Sequence, residues 1–219
     1  MPPDPTERTR IMDAADRLLA KDPQHPLSVT EVLSAAGLST RAFYRHFESK
    51  DALLVALFRR DSERLLAQLE ASVRAAPNPR SALVSWIEGY LGVVANPRRR
   101  RRVLVFSSET VAAARGIAAE RHRNHEMQVE ALTRIIAAGR ADGSFPRAVL
   151  PADARAIRAI LTDALLEQIS GAAKVTPKQA ATEIADFVLR ALGACPTPPS
   201  GGEVPRPPDT TPANTNRGT

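Results

Sequence analysis

The sequence lacks the features on which membrane spanning and disulfide pairing depend. No apolar run is long enough to cross a bilayer, and no apolar stretch near Met1 resembles a signal peptide. A lone cysteine, Cys195, excludes an internal disulfide, and we expect it to be a free thiol without a redox role. These absences favour a cytoplasmic protein that has no association with a membrane.

Motifs of the common enzyme classes are also absent. There is no glycine-rich phosphate loop, no nucleophile elbow and no cysteine pair with zinc-binding spacing. His122, His125 and Glu126 lie at helical spacing and are candidates for a metal site, but the stretch RHRNHE is polar throughout and fits a solvated helix face better. The sequence therefore predicts neither an enzyme nor a bound cofactor or metal.

No stretch alternates apolar and polar residues between turn signals, so no β-sheet is predicted. Apolar residues recur instead with helical spacing, as at Ile11, Ala14, Ala15, Leu18 and Leu19 in a first helix over 6–21. The same reasoning predicts helices over 49–75, 80–95, 97–106 with a short continuation to 114, 117–141, 151–173 and 176–192. The predicted fold class is all-α.

The segment 28–50 contains two short helices joined by a glycine turn. Ser28 and Glu31 have the spacing of a capping box, in which the two side chains satisfy backbone N–H groups at a helix start. Gly37 can adopt the positive φ that ends a helix, and Ser39 and Ser49 can cap the two helices that follow. Helix, glycine turn and helix is the layout of the DNA-binding helix-turn-helix, although it also occurs in proteins that never bind DNA.

The second of these helices carries side chains that suit a DNA groove. Arg41 can bond guanine through two hydrogen bonds, and Thr40 can contact a base edge or a thymine methyl group. The candidates for contacts with DNA phosphates, judged by their side-chain type, are Thr30, Ser39, Tyr44, His46 and Lys50. The alternative is that Arg41 and Arg45 form a solvated face while Tyr44 and His46 are partners in a helical core.

The runs AGLSTRAFYRHF (36–47) and SKDALL (49–54) resemble the signature of the tetracycline-repressor (TetR) family of transcriptional regulators. The resemblance is specific over residues 1–60 and extends to the rest only in general layout. It implies that Tyr44, His46 and Lys50 contact phosphates, and that Thr40, Arg41 and Arg45 occupy the sequence-reading positions. Position 41 is often a small residue in that family, so arginine here changes the base that is read and no operator can be inherited by analogy.

Three regions are expected along the chain. Residues 1–60 would form the helix-turn-helix DNA-binding domain, with a three-helix core. Residues 61–194 would form a C-terminal helical bundle that binds an effector and dimerises. Residues 195–219 are rich in proline, glycine, threonine and asparagine with few apolar groups, so this tail is predicted to be disordered.

Two helices of the predicted bundle carry unusually wide apolar stripes, at 127–139 and 157–169. Such stripes form either an intramolecular core or a four-helix interface between two copies of the chain. The resemblance favours the homodimer, and so does the need to place two recognition helices about one DNA turn (~34 Å) apart. The residues predicted at the interface are Leu132, Ile135, Ile136, Ile157, Ile160, Leu161, Ala164 and Leu165.

Apolar and aromatic residues of the same region are candidates for a ligand pocket: Trp86, Tyr90, Phe106 and Met127. Their alternative role is plain core packing. Together these features predict a ligand-responsive, dimeric transcriptional regulator, a repressor that a small molecule releases from its double-stranded DNA operator. The alternative is a constitutive or architectural DNA-binding protein without an effector, which a solid C-terminal core would favour.

The positive charge is concentrated away from the helix-turn-helix. Residues 1–75 carry 11 basic and 11 acidic side chains, whereas residues 76–150 carry 12 and 6. The excess mostly reflects the run Arg98–Arg102, which wraps more than one helical turn and cannot share a single face. We expect most of these arginines to be solvated or paired with acids, and some to meet DNA phosphate, an anionic effector or the DNA-binding unit.

Overall fold

The computed structural model describes residues 5–21 and 27–194, and these residues form helices and no strand. The helices are α1 (Pro5–Lys21), α2 (Val29–Ala36), α3 (Thr40–His46), α4 (Lys50–Ala75), α5 (Pro79–Gly92), α6 (Pro97–Ser107), α7 (Glu109–Ala112), α8 (Ile117–Ala141), α9 (Ala152–Ser170) and α10 (Pro177–Ala191). A 3-10 turn at Val93–Ala95 follows α5. The all-α prediction is confirmed. The predicted disordered tail and Cys195 lie outside the described residues.

Local capping residues explain most helix boundaries. Thr176 and Gln179 form a reciprocal capping box at the start of α10, and their spacing is that of the capping motif. The α9 helix ends at Ser170 rather than at residue 173, because Gly171 adopts a left-handed conformation (φ 81°). The predicted capping box at Ser28 is wrong, since the Ser28 side chain makes no capping hydrogen bond to α2.

The described helices enclose two main apolar cores. The first joins α1, α2, α3 and the start of α4, and it also includes Val105 and Phe106 of α6, Val111 of α7 and Ile117 of α8. The second joins the end of α4 with α5, α8, α9 and α10. The boundary predicted at residue 60 therefore falls inside α4, and residues well beyond it complete the N-terminal core. The helix-turn-helix unit thus rests on the bundle through α4, α6 and α7.

A buried carboxylate joins α4 to α8. Glu120 is buried, and its two oxygens accept hydrogen bonds from Arg59 of α4 at 2.6 Å and from Arg123 at 2.6 Å. Burial alone would raise the pKa of Glu120, but these hydrogen bonds outweigh it and hold the pKa below its ordinary value of 4.5. Ionised Glu120 therefore stabilises the fold above that value, and this stabilisation is lost as the pH falls through the lowered pKa.

Gly139 on α8 lies against the fully buried ring of Phe145, and a Cβ at this position would overlap that ring. We expect Gly139→Ala to lower the free energy of unfolding by about 1–3 kcal/mol, because the overlap forces the packed ring to move. Gly92→Ala is the matched control, since a Cβ at Gly92 meets nothing within 4 Å. Urea unfolding of both variants measures the difference. Equal stability of the two would contradict this packing.

Candidate DNA-binding surface and interhelical cavity

The turn between α2 and α3 is fixed from both sides. Gly37 adopts the left-handed conformation (φ 63°) that the sequence predicts, and its N–H bonds Ser34 O at 3.2 Å. The guanidinium of Arg10 on α1 donates to Ala36 O at 2.7 Å and so satisfies a carbonyl at the end of α2. Ser39 then caps α3 by accepting from the N–H of Ala42 at 3.3 Å.

The α3 helix buries one face and exposes the other. Phe43 and Phe47 lie in the N-terminal core, with ring centroids 5.7 Å apart. Tyr44 is 60% exposed and packs edge-on against Phe43. Six of the side chains predicted to contact DNA are exposed: Thr30, Ser39, Thr40, Arg41, Tyr44 and Arg45. Lys50 is half-buried at the start of α4. This exposed surface, which we call the α3 face, has the groups needed to meet a DNA groove.

Two of the predicted DNA contacts are held by an acid on α1. The carboxylate of Glu7 accepts from Arg45 Nη2 at 2.8 Å and lies 3.1 Å from His46 Nε2. The His46 side chain is only 2% exposed, so its ring lies in the joint between α1 and α3. The predicted phosphate role of His46 and base-reading role of Arg45 remain predictions. No local pattern marks this pairing, because Glu7 lies 38 and 39 positions from its two partners.

Ion pairs around Asp16 tie α1 to helices α4 and α6. Arg102 of α6 donates to Asp16 Oδ1 at 2.8 Å and also pairs with Asp61 of α4. Arg60 of α4 bonds the other oxygen of Asp16 and lies 3.2 Å from an oxygen of Asp13. Burial raises the pKa of Asp61, with Arg102 opposing that effect. The α1 helix is thus bonded to α3 through Glu7 near the start of α1, and to α4 and α6 through Asp16 in its second half.

A cavity of about 560 Å³ lies between α4, α6, α8 and α9, beside the end of α5. This volume is within the range of sites that hold drug-sized ligands. The apolar side chains on its wall are Phe58, Leu65, Tyr90, Val93, Val103, Phe106, Leu165 and Leu166. The polar and charged ones are Asp61, Ser62, Arg64, Gln68, Arg99, Arg102, Ser107, Arg121, Asn124, Gln128, Arg158 and Thr162.

The cavity reaches from the surface to the N-terminal core. Arg64, Arg99 and Leu166 are exposed and mark its mouth. Phe58 and Phe106 close its side towards the helix-turn-helix unit, with ring centroids 5.4 Å apart in a T-shaped arrangement. Because Phe106 belongs to the N-terminal core as well, a molecule in the cavity would contact a residue that supports the DNA-binding unit.

The structure separates the four residues predicted to line a pocket. Tyr90 and Phe106 lie on the cavity wall. Trp86 does not, because it lies one turn earlier on α5 and is packed into the bundle core. Met127 is also absent from the wall and packs against the same core. The side chains that sequence reasoning missed are mainly the polar ones on α4, α6, α8 and α9.

The residues predicted at the dimer interface differ in their burial within one protomer. Leu132, Ile135, Ile136, Ile157 and Leu161 are all buried in its core and leave little surface for a second protomer. Ile160, Ala164 and Leu165 are half-buried, and Leu165 lines the cavity. The large apolar side chains that α9 and α10 leave exposed are Leu166 and Phe187. The wide stripes therefore contribute to the core of the protomer, and the dimer interface remains a prediction.

The arginine run is distributed over different faces of α6. Arg99 donates to Gln68 of α4 at 3.3 Å, and Arg100 donates to the carbonyl of Gln168 on α9 at 3.1 Å. Arg102 reaches Asp16 and Asp61, as described above. Among the described residues, no cluster of histidine, cysteine and carboxylate side chains is suited to a metal ion. The described helices include none that is long and apolar enough for a membrane span.

The comparisons with known proteins agree with this layout. The family model described as bacterial regulatory proteins, tetR family, matches residues 11–57. An uncharacterised HTH-type transcriptional regulator of Mycobacterium tuberculosis (strain CDC 1551 / Oshkosh) is 32% identical over 85 residues, which cover 39% of this chain and 42% of the relative. The regulator UidR of Escherichia coli (strain K12) is 33% identical over 66 residues, or 30% of this chain and 34% of UidR. The chain thus matches less than half the length of these relatives.

Solved structures share the whole fold at low identity. A transcriptional regulator of Pseudomonas aeruginosa PAO1 has a TM-score of 0.72 at 20% identity, covering 86% of this chain and 91% of that one. The regulator FadR of Bacillus subtilis, solved in complex with stearoyl-CoA, has a TM-score of 0.69 at 13% identity, covering 84% and 98%. At these identities the likeness concerns the arrangement of the helices alone.

Proposed function

We propose that this chain, which belongs to the tetR family of bacterial regulatory proteins through its residues 11–57, is a dimeric cytoplasmic repressor released from its operator by a small molecule. The observation that carries the ligand response is the cavity of about 560 Å³ whose wall residue Arg102 is bonded to α1. A solid bundle would have favoured a constitutive or architectural DNA-binding protein. The complex of FadR with stearoyl-CoA supports the view that this fold can hold a ligand.

The α3 face is the proposed DNA-binding surface. Arg41 and Thr40 are exposed at the N-terminal end of α3, where a recognition helix presents its side chains to base edges. Tyr44 and Lys50 flank them and would contact phosphates, as would Thr30 on α2. We propose that Arg45 and His46 act mainly by fixing the orientation of α3, because both are bonded to Glu7.

The α1 helix is the proposed lever between the cavity and the α3 face. Its Asp16 is bonded to Arg102 on the cavity wall, while its Glu7 and Arg10 are bonded to α3 and to the end of α2. A ligand that displaces Arg102 on the cavity wall would weaken the bond to Asp16 and favour a different position of α1. Ligand binding would then shift the population towards a state whose two α3 helices no longer fit adjacent grooves.

Dimerisation is proposed through the outer faces of α9 and α10. These faces expose Leu166 and Phe187, and a second copy of the chain would cover both. Two-fold pairing is the commonest symmetry among homo-oligomers, and it would place two recognition helices on one side of the duplex. Residues buried in the protomer core take no part in this version of the interface.

The test is a thermal-shift screen of the full chain against anionic, neutral and cationic apolar compounds. A ligand of the cavity raises the melting temperature by mass action, and if it is the effector it binds the DNA-free state more tightly and so also lowers the affinity for operator DNA. Hits are therefore retested for operator release by fluorescence anisotropy. If no compound of any charge both stabilises the protein and releases DNA, the effector-free alternative replaces this proposal.

Arg102→Gln tests the proposed lever. With a hit from the screen, we expect the wild type to lose operator affinity by about 5–150-fold, the usual range of coupling between two sites. The variant should still bind the ligand, seen as a thermal shift, but its operator affinity should change by less than about 3-fold because Asp16 no longer has its cavity-side partner.

The matched control for the lever is Arg101→Gln, an exposed arginine of the same helix that lies outside the cavity wall. This control should respond to the ligand like the wild type. If Arg102→Gln releases DNA as fully as the control does, the bond between Arg102 and Asp16 does not transmit the signal.

A further inference from the structure

We propose that the effector is an amphipathic organic carboxylate, whose head group lies against Arg158 and Gln128 and whose apolar body lies along the aromatic wall of the cavity. This inference rests on the proposed function and names the chemical class of its ligand. It follows from three properties of the cavity: the sign of its charge, the unsatisfied polar groups on its wall and the position of its apolar side chains.

The cavity wall is strongly cationic. It carries five arginines, Arg64, Arg99, Arg102, Arg121 and Arg158, and a single carboxylate, Asp61. That carboxylate is already paired with Arg102. A positively charged ligand would therefore enter without a free counter-charge and would face like charges at short range, which is unfavourable in a partly desolvated site. An anion is the charge type that this wall stabilises.

The arginines of the wall differ in how far the protein already satisfies them. Arg121 donates to the carbonyl of Phe106, and Arg99 donates to Gln68. The side chain of Arg158 makes neither a hydrogen bond nor an ion pair within the described part of the chain, and its buried Nε lacks a partner. Arg158 is half-buried, and an unpaired guanidinium whose Nε is buried is costly, so Arg158 is the cation that gains most from a bound anion.

Gln128 provides a second, independent unsatisfied group. It is only 4% exposed, it lies on the cavity wall, and its Oε1 has no hydrogen-bond partner. A buried amide without partners costs free energy that a ligand head group can recover. Because the amide can turn over and present its NH₂ group instead, it can donate to a carboxylate oxygen as readily as it can accept.

The surroundings of Arg158 reinforce the preference for an anion. The pKa of His125 on α8 is lowered by burial and then by Arg158, so at neutral pH His125 is uncharged and does not compete with Arg158 for an anion. Glu126, which follows His125 on α8, is exposed and lies outside the cavity wall. No carboxylate on the wall is therefore available to neutralise Arg158.

The apolar side chains define where the rest of the ligand lies. Phe58 and Phe106 face the helix-turn-helix side, and Leu65, Val103 and Leu165 form part of a separate small apolar cluster around Val93. A purely polar anion would leave these groups without contact. An unbranched or aromatic body of moderate size would bury them and gain the hydrophobic contribution of the contact.

The experiment titrates the full chain with three ligands that share a ten-carbon chain: decanoate, decanol and decyltrimethylammonium, each below its micelle-forming concentration. Calorimetry should give a decanoate affinity at least about 10-fold above that of decanol, because only the carboxylate gains charge-assisted hydrogen bonds. The ammonium compound should not bind measurably. Equal affinity for decanol, or tighter binding of the cation, would overturn the inference.

Variants locate the head group. Arg158→Gln should lower decanoate affinity at least about 10-fold and leave the weak decanol affinity unchanged, whereas Arg155→Gln, an exposed arginine of the same helix, should change neither. Gln128→Met provides a second variant, expected to weaken decanoate alone. Wild-type affinity for decanoate in both cavity variants would show that the carboxylate lies elsewhere.

The failure of this inference is distinguishable from the failure of the proposed function. A neutral or cationic compound that binds in the screen and releases operator DNA overturns the carboxylate and leaves the ligand-responsive repressor intact. If decanoate binds through Arg158 without changing the operator affinity, the proposed ligand class stands and its regulatory role is excluded.

Discussion

Phe187→Arg is expected to produce a monomer that binds its operator about 10²–10⁴-fold more weakly than the wild type. Phe187 is 52% exposed on α10, so a charge there is solvated in the monomer but would be buried without a partner in the proposed dimer. When the two recognition helices are no longer linked, the gain from binding two half-sites together is lost, and that gain accounts for the predicted range. Light scattering and anisotropy titration measure the two effects.

Val149→Arg is the matched control for this prediction. Val149 is also a large exposed apolar side chain, at 60%, but it lies in the loop before α9 and outside the proposed interface. The control should remain a dimer with wild-type operator affinity. A wild-type protein that is monomeric at micromolar concentration, or a Phe187→Arg variant that stays dimeric, would exclude the proposed interface.

Arg41→Ala is expected to cost about 1–3 kcal/mol of discrimination between the operator and its variants at one base pair, if this arginine bonds a guanine. Arg41 is exposed near the start of α3, and its side chain makes no ion pair within the described ranges, so it is available to a base edge. Lys50→Ala should instead weaken binding to all sequences alike and reduce the slope of affinity against salt by about one unit, because a phosphate contact carries no sequence information.

The control for both substitutions is Arg74→Ala, which removes a charge at the far end of α4 from an exposed side chain. Gel-shift titrations at several salt concentrations, with the operator and single-base variants, separate the two effects. Should Arg41→Ala and Lys50→Ala keep the affinity, discrimination and salt slope of the control, the α3 face is not the surface that meets DNA.

The parts of the fold that depend on neighbours in sequence were predictable. The ends of α4 and α8, the left-handed turn at Gly37 and the capping box at Thr176 follow from residues within one helical turn. Ser28 shows the limit of such reasoning: the spacing to Glu31 is correct, yet the Ser28 hydroxyl makes no capping bond. Spacing identifies a capping pair, but the side-chain rotamer decides whether the bond forms.

The parts that depend on distant residues were not predictable. Helical periodicity shows that Leu132 and Ile136 face apolar surroundings, but it cannot tell whether those surroundings belong to the same protomer or to another. For the same reason periodicity cannot separate Trp86 from Tyr90. Tyr90 lies on the cavity wall, whereas Trp86, one turn earlier on α5, is buried in the core. The bond from Asp16 to Arg102 joins residues 86 positions apart, and no local pattern marks it.

The most direct test of the central claim is a selection of operator DNA from a pool of random duplexes by the purified full chain, followed by binding measurements with and without decanoate. We predict enrichment of a two-fold symmetric sequence with half-sites about one helical turn (~34 Å) or a multiple of it apart. We also predict that decanoate at saturation lowers the affinity for that sequence by about 5–150-fold. Enrichment of no sequence, or a selected operator whose affinity no ligand of the screen changes, would contradict a ligand-responsive dimeric repressor.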